Sequence, residues 1–168
     1  MVSSGRLMAT SDGIRKRDWD QVHSAACRIA NVPEGDRAGS RQARERMFAT
    51  LDALEQRYGA KPSILATRAD YTGARSARLR LFLRAYKAAN EINDAKNLVL
   101  IARSLVELFI DDCEDYKSAA AWLERLSENL QRWSDAGERR EARLLAKRLQ
   151  TMRSKSRSVQ REVGGRNT

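Results

Sequence analysis

The chain has 168 residues, a net charge of +10, two prolines, nine glycines, two cysteines and one histidine. That length supports one core without staples, and Cys27 and Cys113 stand too far apart for a CxxC site or a disulfide framework. The first twenty residues contain no continuous apolar core of a signal peptide and no later run reaches a membrane span, so a soluble, cytoplasmic protein with reduced thiols is expected.

The few helix breakers and the abundance of Ala, Leu, Arg and Glu predict an almost wholly helical chain. Residues 1–17 are expected to be a flexible N-terminal segment. A first helix is predicted over 18–30, with Trp19, Val22, Ala26 and Ile29 inward, ended by the polar PEGDRAGS turn. A second is predicted over 40–58 through Met47, Phe48, Leu51 and Leu54, with Gly59 as its stop. Pro62 suits the first turn of a third helix ending near Tyr71.

After Gly73 a long helix is predicted as far as Asn93, with Ala77, Leu81, Ala85, Ala88 and Ile92 inward and Arg80, Arg84, Lys87 and Glu91 on the solvated face. Two more follow over 96–111 and 115–133, divided by the acidic turn DDCED. That turn lacks the glycine and distant glutamate of a calcium loop and favours the next helix N-terminus electrostatically. A last helix over 138–155 carries Ala142, Leu145, Leu149 and Met152 in one seam, and residues 156–168 are expected to be a basic, disordered tail.

Internal repeats organise these elements. RQARERMF (41–48) and RSARLRLF (75–82) match at five of eight positions at an offset of 34, and AKPSILATRA from Ala60 echoes AKNLVLIARS from Ala95 at an offset of 35. Two segments repeating with nearly one period imply a duplicated two-helix unit. Hairpins of this length, with small alanines at Ala77 and Ala119 and aromatics at Tyr71, Phe109 and Tyr116, resemble tetratricopeptide (TPR) repeats. The resemblance covers residues 18–133 as three units. It implies an all-α fold of antiparallel hairpins stacked as a short right-handed superhelix, a TPR-like α-solenoid over 18–155, with a capping helix from about 138.

In such arrays the first helix of each pair lines a concave surface that holds a peptide or helix of another protein. Here Leu100, Arg103, Glu107 and Ile110 form a second stripe beside the core stripe of their helix, and Arg68 matches Arg103 one unit earlier. These five are the candidate partner-binding residues, with the two guanidiniums suited to bidentate carboxylate or phosphate contacts in a partner with acidic groups. The asparagines of the TPR subgroup that clamps chaperone C-termini are missing. Pairing of the same arginines with Glu107 or Asp70 inside the scaffold is the competing reading.

No catalytic constellation emerges. His23 and Cys27 share a helix face but supply only two potential zinc ligands, so they are expected to be core or half-buried rather than metal-bound. No glycine-rich phosphate loop exists, and no cofactor or enzyme activity is expected. The expected function is a non-enzymatic adaptor or regulator, self-association being compatible with it. The alternative is a basic nucleic-acid-binding module using the C-terminal helix and tail. The charge is uneven: +3 over residues 1–46, +4 over 47–86, −4 over 87–130 and +7 over 131–168. No continuous basic stripe therefore runs along the chain.

Overall fold

The computed structural model of the chain describes residues 10–164, with side chains through Ser154. These residues form seven α-helices and no strand: α1 Lys16–Ala30, α2 Arg37–Tyr58, α3 Pro62–Tyr71, α4 Arg75–Glu91, α5 Ala95–Asp111, α6 Tyr116–Arg132 and α7 Ala136–Gly164. The chain divides within α5 into two compact units, one ending at Asn97 and the other beginning at Leu98. No described helix is long and apolar enough to cross a membrane. Residues 1–9 and 165–168 lie outside the described residues. The stretch expected as a tail from residue 156 is helical to Gly164, and Ile14, within the segment expected to be flexible, is fully buried.

Aspartates set where most helices begin. Asp36, Asp94, Asp115 and Asp135 accept hydrogen bonds from the backbone N–H groups of Gly39, Asn97, Ser118 and Glu138, at 2.8, 3.1, 3.0 and 2.9 Å. Each satisfies an orphan donor of α2, α5, α6 or α7, a contribution of about 1 kcal/mol per cap. The acidic turn thus has a definite task at Asp115, whose carboxyl the Ser118 hydrogen bonds hold below its ordinary pKa. The α3 N-terminus is capped from a distance: the Ser63 N–H donates to Asp12 Oδ2 at 2.7 Å. Gly59, at φ 78°, ends α2 in a conformation that a side chain would strain.

In the first unit α1 packs on α2, α2 on α3 and α3 on α4. Ile14, Val22, Ala25, Met47, Leu51, Leu54 and Ile64 form one buried cluster, edged by Trp19, Phe48, Tyr58 and Tyr71. Asp18 is buried with this layer and takes hydrogen bonds from Tyr58 Oη and from Arg57, the latter at 3.2 Å. A further polar knot closes the α3 and α5 starts: Asn97 Nδ2 donates to Asp94 Oδ2 at 2.7 Å, Ser11 Oγ at 3.2 Å and Ser63 Oγ at 3.3 Å. Satisfied buried polar groups of this kind fix one arrangement, because leaving any of them unpaired is costly.

Two expectations are corrected. Helix α4 buries Phe82, Ala85 and Ala89, while Ile92 is 50% exposed. Ile92 is the residue just past the helix end, followed by Asn93 at φ 59°, so the helical period no longer governs it. His23 and Cys27 are both exposed rather than core, because α1 turns Asp18, Val22 and Ala25 inward. The stripe of Arg80, Arg84, Lys87 and Glu91 is exposed throughout.

In the second unit α6 packs on α7. Trp122 is buried, with the Arg125 guanidinium 4.4 Å from its ring centre, and Leu126, Leu130, Ala142, Leu145 and Leu149 continue the core. The α5 segment of this unit contributes Leu98, Ile101, Ala102, Leu105 and Leu108 and is tied to α7 by Arg148, which donates to Asp111 Oδ2 at 3.2 Å.

Candidate interaction surfaces

The five residues singled out from the sequence fall in different settings. Arg68 is half-buried and engages two carboxylates of α2, Asp52 at 2.7 Å and Glu55 at 3.0 Å. Arg103 pairs with Glu138, Nε to Oε2 at 3.3 Å, although neither atom has a well-aligned hydrogen bond. The contact is therefore an ion pair without directional bonding. Glu107 shares this neighbourhood. Burial raises its carboxyl above the ordinary value, Arg103 pulls it down, and Asp111, Glu138 and Glu141 push it further up. Ile110 is 1% exposed and belongs to the core, while Leu100 is half-buried. Both arginines are thus engaged within their own units, Arg68 by Asp52 and Glu55, and Arg103 by Glu138 with Glu107 close by.

Open surface lies elsewhere. At the α1–α2 turn, Ile29, Val32, Pro33 and Phe48 floor a groove whose wall carries Arg37, Arg41 and Arg44. The spacing of four and three residues puts the three guanidiniums on one face of α2, over about 10 Å of helix. All three side chains are exposed, and among the described residues none engages a carboxylate. Asp36 is occupied as the α2 cap, so Glu45 is the one other acidic group in the lining. Cations concentrated beside half-buried apolar side chains make a surface matched to an acidic, apolar-anchored segment.

From the sequence, Arg41 and Arg44 stand out only as marks of the repeat, and Phe48 as a repeat mark and an inward position of its helix. The available signal was the juxtaposition of an arginine ladder with the aliphatic end of α1, which requires knowing how the hairpin closes.

A second groove follows the α6–α7 seam. Ala120, Leu123 and Ser127 of α6 face Ala142, Ala146 and Leu149 of α7 across it. Its α6 side carries Glu124 and Glu128, and its α7 side Arg139, Arg143 and Arg153. No residue of α1 to α5 lines it. Among the described residues, no group of three or more His, Cys, Asp or Glu side chains gathers as a metal ion would need. Comparison with protein families, curated proteins and solved structures finds no match to this chain.

Proposed function

We propose that the protein is a non-enzymatic adaptor or regulator of the TPR-like kind, which holds an acidic segment of a partner protein. The observation that carries this reading is the α1–α2 groove, with three exposed arginines that pair with no carboxylate among the described residues, over an apolar floor. Carboxylates of the partner face Arg37, Arg41 and Arg44, and one of its apolar side chains rests on Ile29, Val32 and Phe48. The consecutive packing of α1 on α2, α2 on α3 and α3 on α4, together with the repeated motifs, supports the helical-repeat architecture.

The test is capture from native lysate with wild-type protein and with Arg41→Glu/Arg44→Glu, each with and without nuclease. The reading expects a protein partner that survives nuclease and is lost with the double reversal. A partner retained by the reversed protein would refute the groove assignment. Arg68 serves as a contrast, since its guanidinium is already held by Asp52 and Glu55.

A second reading has one specific support. Helix α7 carries nine Lys and Arg against three Asp and Glu, a density suited to phosphate contacts. It expects nucleic acid to be recovered without nuclease, with binding that falls steeply as salt rises and is unaffected by the α2 reversal.

A further inference from the structure

The α6–α7 groove has opposite charges on its two sides, and that asymmetry restricts what can cover it. A uniformly acidic helix would be repelled by Glu124 and Glu128, and a uniformly basic one by Arg139, Arg143 and Arg153. A complementary occupant must be basic along one edge, acidic along the other, and small and apolar between them. The protein's own α6–α7 surface has this pattern.

We infer that the α6–α7 face is a self-association surface, on which a second copy of the chain completes a four-helix bundle. The geometry follows from the levels at which the residues lie. Glu124 lies at the level of Gln150 and Arg153, and Gln131 at the level of Arg139 and Arg143, because the two helices run antiparallel across the groove. Rotation about a two-fold axis parallel to the helices keeps every residue at its level and sets α6 of one copy beside α7 of the other.

Glu124 then meets the partner's basic edge near Arg153, and Glu128 meets it between Arg143 and Arg153. Ala120, Leu123, Ser127 and Ala146 turn to the centre. Small side chains at Ala120, Ser127 and Ala146 leave the space for a close approach of the second pair. Each copy thereby removes apolar groove from water and matches both charged edges at once. The inference is independent of the α1–α2 groove, whose residues play no part in it.

Sedimentation velocity of the full chain tests it with two sets of substitutions at exposed or half-buried positions. Wild-type protein is expected to sediment at twice the monomer mass at micromolar concentration. Glu124→Arg/Glu128→Arg is expected to give monomer, with unchanged helical circular dichroism. Adding Arg143→Glu/Arg153→Glu to the same chain exchanges both edges and is expected to restore the dimer. A monomeric wild type would overturn the inference. So would a dimer indifferent to the first reversal, or one that the second pair of reversals fails to rescue.

Discussion

The two copies of the repeated motif share five of eight residues and have different fates. In α4 the copy at 75–82 buries Phe82 to 1% exposure, and Arg75 and Arg78 are engaged by neighbours. In α2 the copy at 41–48 leaves Phe48 half-buried and Arg41 and Arg44 exposed with no carboxylate partner among the described residues, beside the floor of a groove. Nearly the same local sequence turns different residues inward: α2 buries Ala43 and Met47 and leaves Phe48 at the edge of an open groove, whereas α4 buries Phe82 and leaves Ala77 and Leu81 half-buried. What decides is the neighbour each helix receives, since helix formation itself asks the same of both copies.

The largest effect separating the copies is expected from the phenylalanines. Phe82→Ala should cost about 3–5 kcal/mol, the range for emptying a closed aromatic site, whereas Phe48→Ala should cost clearly less because part of its ring already meets water. Urea unfolding of the two variants measures the gap; equal losses would break the comparison. The arginines should differ by less. Arg78→Ala is expected to lower stability by about 1 kcal/mol through lost packing and pairing. Arg41→Ala is expected to fall within about 0.5 kcal/mol of wild type.

The smallest and most condition-dependent effects contrast the two units through their carboxyls. The Tyr58 hydrogen bond, helped by Arg57 and Arg17, holds Asp18 below its ordinary 3.8. Its contribution is present above that value and lost as pH falls through the lower folded value. Glu107 is displaced the other way, so its charged form opposes folding, and that cost fades as pH falls toward the ordinary 4.5. Asp18→Asn should therefore lower the thermal midpoint at pH 7, with the deficit closing below pH 3.8. Glu107→Gln should raise it at pH 7, with the gain closing near pH 4.5. Thermal melts across this range check both signs.

Much of the fold was legible in the chain. Seven helices and their turns follow from apolar spacing, from Gly59 and from Pro62, because these act within a few residues of themselves. The α4 seam was misread by a fraction of a turn, since Leu81 and Phe82 are both apolar and only the packing of α3 on α4 chooses between them. Capping by Asp12 was hidden for a similar reason: it acts on Ser63 across a long stretch of chain. The candidate site was the least legible part. Arg68 and Arg103 have the spacing of a binding pair, yet their carboxylate partners come from α2 and α7, which no local pattern announces. Arg37, Arg41 and Arg44 stand out only once the described residues around them are seen to offer no carboxylate partner.

The most direct measurement is an anisotropy titration of a fluorescein-labelled peptide, rich in Glu with one central Phe, against full-length protein and the Arg37→Glu/Arg41→Glu/Arg44→Glu variant. The account predicts saturable binding by wild type that weakens with salt, depends on the Phe and disappears in the variant. Equal binding by both proteins, or none by wild type at low salt, would contradict the claim that the α1–α2 groove receives an acidic partner segment.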